Sequence, residues 1–211
     1  LTDVTKTGAG SQTLTNLVLS GTTTVEQGTL TLAGNSTLND VVMKGGALVK
    51  AADAQLELAD GSTVSIVPSG GSVQIPGFDF SNAVLELTIT SDALYSQFNM
   101  TEVPTFDENA GFIDVAFSED AVLSDAGYLV AEMIGDLNES RDFNSWLLET
   151  QREDWNLAWV SGKGLMLTAL GGGGGTGDGS AVPEPTAMTL LLLGMGILGL
   201  RSIRFRKSER K

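Results

Sequence analysis

Residues 1–75 alternate with period two, and glycine-containing turns interrupt the alternation every few residues. TLTNLVL, TLTLAG, AQLELADG and STVSIV each set Leu, Val or Ile on every second position. That period belongs to an extended strand, whose successive side chains point to opposite faces. Thr, Val and Ile also suit a pleated surface. Turn signals fall at Ser20-Gly21, Gln27-Gly28, Gly34-Asn35, Gly45-Gly46, Asp60-Gly61 and Gly70-Gly71,. Strands this short fit a sandwich, a barrel or a solenoid. The short spacing and the small aliphatic inward residues favour stacked coils, each burying its inner face on its neighbours.

The stretch LTDVTKTGAGSQTLTNLVLSGTTTVEQGTLTLAGNSTL resembles the autotransporter-associated β-strand repeat. The matching positions are Lys6, Gly8, Gly10, Leu14, Gly21, Thr22, Thr23, Val25, Gly28, Thr29, Leu30 and Leu32. TLTNLVLSGTTTV lacks the Asn-x-Tyr-x-Gly step usual in that family. The resemblance implies a right-handed β-helix on an exported protein, and no catalysis. Leu1 already lies inside this repeat, so an upstream segment carrying the export signal is expected,.

From Pro76 to Leu170 aromatics appear, acids become denser and turns lie further apart. FSNAVLELTIT, GFIDVAFS and GYLVAEMIG read as strands,. RDFNSWLLETQ spaces Phe143, Trp146, Leu147 and Leu148 for a short helix, and WNLAWVSGKGLMLTAL reads as a hairpin turning at Ser161 to Gly164,. The region is expected to form a β-rich cap over the end of the solenoid, which would otherwise expose an adhesive edge.

The formal net charge of −14 conceals a division of charge along the chain. Half of the twelve Lys and Arg residues crowd the carboxyl terminus: Arg201, Arg204, Arg206, Lys207, Arg210 and Lys211. The remaining body is therefore more acidic than the whole, which argues against nucleic acid as a partner. The chain has no Cys and no His. Thiolate or imidazole zinc sites, Cys–His nucleophiles and a Ser–His–Asp triad are all excluded.

Other motifs carry little chemistry. Gly162-Lys163-Gly164 lacks the spacing of a phosphate-binding loop,. Gly171 to Ser180, GGGGGTGDGS, has the composition of a flexible linker rather than of a repeated calcium loop,. Acid pairs occur at Glu119-Asp120, Glu139 with Asp142, and Glu153-Asp154. Two carboxylates across a cleft hydrolyse glycosides, but in so acidic a chain adjacency fits a solvated surface better. Asn35, Asn99 and Asn138 open Asn-x-Ser/Thr triplets, which a Thr-rich sequence produces by chance. No catalytic, cofactor or metal residues are assigned, and the expectation is that the chain is not an enzyme. The three Trp residues read as core. A deep acidic cleft lined by Trp146, Trp155 or Trp159 would instead favour an exported carbohydrate-binding or carbohydrate-active protein.

The carboxyl terminus is of another kind. Residues 186–200 contain no charge. As a helix they would extend roughly 22 Å, short of a hydrocarbon core of about 30 Å. Ile203 and Phe205 lengthen the run if Arg201 and Arg204 snorkel to the interface,. The basic cluster Arg201, Arg204, Arg206 and Lys207 would stop transfer and stay cytoplasmic, leaving the acidic body outside,. A Gly-rich linker, then Pro183, Glu184 and Pro185, a short apolar run and a basic end closely resemble a PEP-CTERM protein-sorting signal. In that family exosortase, an integral membrane enzyme, recognises the signal and removes the tail; Pro183, Glu184 and Pro185 match its recognition motif. The prolines keep this segment extended and displayed at the membrane. The resemblance further implies a Gram-negative host, with exopolysaccharide and biofilm as the setting.

The sequence therefore predicts a mainly β chain in four parts. These are a right-handed β-solenoid over 1–75, a β-rich cap over 76–170, a Gly-rich linker over 171–182, and a sorting signal over 183–211 with one transmembrane helix. The expected product is an exported, non-enzymatic surface or matrix protein without cofactors. It is held transiently in the inner membrane with its amino terminus outside, then lies in the envelope or medium.

Overall fold

A computed structural model describes residues 3–118, 126–137 and 141–170. All of them belong to one unit, Leu1–Gly172. In chain order the strands begin with β1 (Val4–Lys6), β2 (Ser11–Thr15), β3 (Thr23–Val25), β4 (Thr29–Ala33), β5 (Asn35–Leu38) and β6 (Val41–Met43). Then come β7 (Ala47–Lys50), β8 (Gln55–Leu58), β9 (Thr63–Ile66), β10 (Val73–Ile75), β11 (Val84–Ser91) and β12 (Leu94–Tyr95). The last are β13 (Phe98–Met100), β14 (Ile113–Phe117), β15 (Tyr128–Ala131), β16 (Arg141–Asp142), β17 (Trp155–Val160) and β18 (Gly164–Ala169).

Strands β1 to β14, apart from the short antiparallel β12, form the stacked coils of a β-solenoid. One face runs β1-β3-β6-β9-β11, with β14 on the far side of β11, and every pair along it is parallel. A second face, β2-β4-β7-β10-β13, is also parallel throughout. A third is narrower: β5 pairs with β8, and Val18 bridges Thr37. Parallel pairing of sequence-adjacent rungs requires the chain to travel once round between them, and the turn signals mark its corners.

Register shows why the alternation is needed. Lys6, Val25, Met43, Ile66, Leu87 and Val115 lie in one line across six rungs. Val4, Thr23, Val41, Val64, Leu85 and Ile113 form the neighbouring line. From the second rung onward every member of both lines is buried. Each such aliphatic side chain contributes roughly 1.5–3 kcal/mol on burial, and it finds cover only on the coils above and below.

Coil length varies along the chain, and the longest coil is the one that ends at β14. Asn16 Oδ1 accepts from Asn35 N–H across 19 residues, and Lys44 reaches Glu26 across 18. Asp40 accepts from Thr63 across 23, and Ser118 donates to Thr90 across 28. The extra residues sit at corners, so the rungs stay in register. Where coils are shortest, the corners leave no room for side chains. Gly28 and Gly46 both have positive φ, and a Cβ on Gly46 would meet the Gly28 carbonyl oxygen.

Beyond β14, strands β15-β18-β17-β16 form an antiparallel sheet, and β17 with β18 make the expected hairpin. The helix expected within 141–151 is replaced by two single 3-10 turns, Asn144–Trp146 and Glu149–Gln151. Leu147 between them is extended and forms a parallel bridge with Ile113. Tertiary pairing at that residue overrides the helical spacing of its neighbours. Phe143, Trp146 and Leu147 are buried as their spacing suggests, but from turns.

Thr23 is fully buried, and its hydroxyl meets no hydrogen-bond partner among the described residues. An unmet buried hydroxyl costs about 1–3 kcal/mol. Thr23→Val is therefore expected to raise Tm by several degrees in a thermal melt; a lower Tm would reveal a hidden partner for the hydroxyl. Gly46→Ala should lower stability by about 1–3 kcal/mol from backbone strain alone, and denaturant unfolding unchanged from the parent would contradict the close-packed corner.

Candidate functional site

The residues to which the sequence assigns a function, Pro183, Glu184, Pro185, Arg201, Arg204, Arg206 and Lys207, lie outside the described residues. So does the predicted span 186–200. Among the described residues no helix is long and apolar enough to cross a membrane.

The three tryptophans of the body are core residues. Trp146, Trp155 and Trp159 are 3%, 4% and 6% exposed. Trp146 packs against Phe143, Phe112 and Phe106 with ring centroids 4.5, 5.3 and 5.8 Å away. Phe117 covers Trp155 in a stacked pair at 5.1 Å. A sugar stacks on an open aromatic face, and none of these indoles offers one.

Glu119, Asp120 and Glu139 lie outside the described residues. Glu153 and Asp154 are exposed on a turn, and Asp142 Oδ1 accepts from Asn144 N–H at 2.7 Å. Lys163 is exposed at the tip of the β17–β18 hairpin. Of the Asn-x-Ser/Thr triplets, Asn138 is not described. Asn99 is engaged structurally: its Oδ1 accepts from Glu132 and Met133 N–H, and its Nδ2 donates to Ser72.

Among the described residues, two surface cavities of about 220 Å³ stand out. One is lined by Gly71, Ser72, Gln97, Leu129 and Glu132, with Gln97 donating to the Leu129 carbonyl at 3.2 Å. The other gathers Glu57, Asp60, Asp79, Ser81 and Asn82. Within it Asp79 Oδ1 accepts from the Ser81 hydroxyl at 2.6 Å and from Ser81 N–H at 2.9 Å. Those bonds, the hydroxyl first, hold the Asp79 carboxyl below its usual range against a small opposing effect of burial; Thr105 adds a further hydrogen bond. Among the described residues no group of three or more acidic, His or Cys side chains is arranged to hold a metal ion.

Lys6 is a cation whose place the sequence did not reveal. It is 4% exposed, and its ammonium donates to the carbonyls of Thr7 at 2.8 Å, Gly8 at 2.6 Å and Gln27 at 3.1 Å. Those acceptors belong to the corners of the first and second coils, so the lysine ties one coil to the next. Its appearance in the repeat pattern was the only signal.

Comparison with known proteins bears on the tail. Residues 181–207 match the family model of the PEP-CTERM protein-sorting motif. The matched segment contains Pro183, Glu184 and Pro185, the apolar run and the basic cluster from Arg201 to Lys207. It carries an exosortase sorting signal, which implies export to the envelope of a Gram-negative bacterium and exosortase as the processing partner. No curated protein and no solved structure matches the chain.

The Asp79 geometry gives a pH expectation. A carboxyl held low when folded contributes stability that is present above its unfolded pKa of about 3.9. That contribution is lost as pH falls through the folded value. Ser81→Ala removes the leading donor but keeps the N–H bond, so Asp79 should titrate closer to the usual range in an NMR pH titration. An unchanged titration would assign the effect elsewhere.

Proposed function

We propose that this chain is a non-enzymatic surface or matrix protein whose acidic β-solenoid is cargo and whose tail is an address. The match at residues 181–207 carries the reading. In it, residues 186–200 hold the protein briefly in the inner membrane, with the body outside and the basic cluster in the cytoplasm. Exosortase then reads Pro183, Glu184 and Pro185 and removes the tail. The first coils act as an autotransporter-associated β-strand repeat, and the parallel stacking over β1 to β9 supports that role. The burial of all three indoles supports a structural body over a sugar-processing one. Exopolysaccharide is the matrix partner proposed for the mature form.

The physical division of labour supports the same reading. An extended Pro-Glu-Pro segment offers an enzyme a backbone free of helical hydrogen bonds. An apolar run of marginal length needs its basic end to fix orientation, each cation adding about 1 kcal/mol of attraction to an anionic leaflet.

Glu184→Ala should leave the uncut form in the membrane fraction of the native host, and so should replacing Arg201, Arg204, Arg206 and Lys207 by Ser. Immunoblotting of membrane and medium fractions measures this. Release at the parent rate in both variants would overturn the sorting reading.

A further inference from the structure

The joint between the third and fourth coils is built differently on each face. The third coil comprises β6, β7 and β8; the fourth comprises β9, β10 and residues 78–80. On the first face the joint is closed. Val64, Ser65 and Ile66 of β9 stand opposite Val41, Val42 and Met43 of β6. Val67 N–H donates to the Met43 carbonyl at 2.9 Å, and Thr63 N–H donates to Asp40 Oδ1 at 3.0 Å. On the second face β10 meets β7 only at Gln74, opposite Ala47, and Gln74 N–H donates to the Gly46 carbonyl at 3.1 Å. The joints on either side are fuller: β7 pairs with β4 along its whole length, and so does β10 with β13.

On the third face the joint is open. β8 pairs with β5 along its whole length, and among the described residues no strand pairs with its other side. Residues 78–80 bond to the fifth coil instead: Phe80 N–H donates to the Thr105 carbonyl at 2.7 Å, and Thr105 N–H donates to the Phe78 carbonyl at 3.1 Å. The gap is the cavity lined by Glu57, Leu58 and Asp79. Burial records it. Leu38 and Leu58 are neighbours in one inward line, yet Leu38 is fully buried and Leu58 only partly. Lys50 spans the joint, reaching from the third coil to Glu102 of the fifth with Nζ 2.8 Å from Oε2. Gly77 of the fourth coil lies against Glu102, where a Cβ would meet the carbonyl oxygen.

We propose that this joint is a hinge. The first face is its pin, the third face is the side that opens, and the Lys50–Glu102 ion pair is its clasp. Local opening begins where a boundary is crossed by the fewest backbone bonds. Here they fall from a ladder on the first face to a single bond on the second and none on the third. Glu57 and Asp79 stand on the two walls of the gap, and their like charges favour opening,. The body therefore flexes at this joint as two stacks, coils one to three and the later rungs, rather than only fraying from its ends. Opening bares Leu56 and Leu58 while each stack keeps its own register. The clasp is partly exposed, so it is weak and sensitive to salt,. This inference concerns the body alone and does not rest on the sorting reading.

Hydrogen exchange of the full chain in detergent tests this at single amides. Gln74 and Val67 N–H both cross the joint, on the second and first faces. Thr101 N–H, bonded to the Ile75 carbonyl at 3.1 Å, crosses the next joint on the second face. After correction for intrinsic rates, Gln74 should exchange at least about tenfold faster than either. Lys50→Met should speed Gln74 by a further factor of about two to five, the effect of an exposed ion pair, and leave Val67 and Thr101 unchanged. Glu102→Gln and high salt should each do the same. Equal exchange at Gln74, Val67 and Thr101 would overturn the hinge. A fast Gln74 that neither the variants nor salt alters would overturn the clasp.

Discussion

Everything in the body depends on register between parallel rungs. A single coil has an apolar inner edge and no means of covering it; the next coil covers it only if the same side chains fall in line. The lines from Val25 to Val115 and from Val41 to Ile113 show that requirement met across coils of very different length. Insertions are absorbed at corners because a corner residue belongs to no line. The close approach at Gly28 and Gly46, and Asn and Asp side chains accepting from the next coil, keep successive coils aligned.

The same constraint accounts for the polar side chains that matter most. Lys6 gives its ammonium to three corner carbonyls, and Gln151 gives its carboxamide to the Val115 backbone on the last rung. Backbone groups without a partner are costly when removed from water, and these long side chains supply bonds that the regular ladder does not. Surface ion pairs add little: Lys44–Glu26 is exposed, and Lys50–Glu102 is partly so,.

Much of this was legible in the sequence. Alternation marked TLTLAG, STVSIV, VLELTIT, GFIDVAFS and the 155–169 hairpin as strands, because period two reports directly which side chains face inward. The stacking followed from short turn spacing and small inward residues. The tail was legible as well, because Pro183, Glu184, Pro185, the apolar run and the basic end form a linear signal that needs no fold. Long-range pairings stayed hidden. RDFNSWLLETQ has helical spacing, yet Leu147 bridges Ile113, thirty-odd positions earlier, and the helix gives way to turns. Gln151 carries no local pattern, since its role exists only once Val115 lies beside it. Lys6 could be seen as a repeat residue, but the three carbonyls around it could not.

In the proposed function a tail delivers the rung-stacked acidic body and is then removed. The most direct measurement is the mass of the carboxyl-terminal peptide of the protein recovered from its own envelope and medium. A terminus near Val182 to Pro185 is expected, with the mass of any added group read at the same time. A terminal peptide that still contains Lys211 would contradict it and make the tail a permanent anchor.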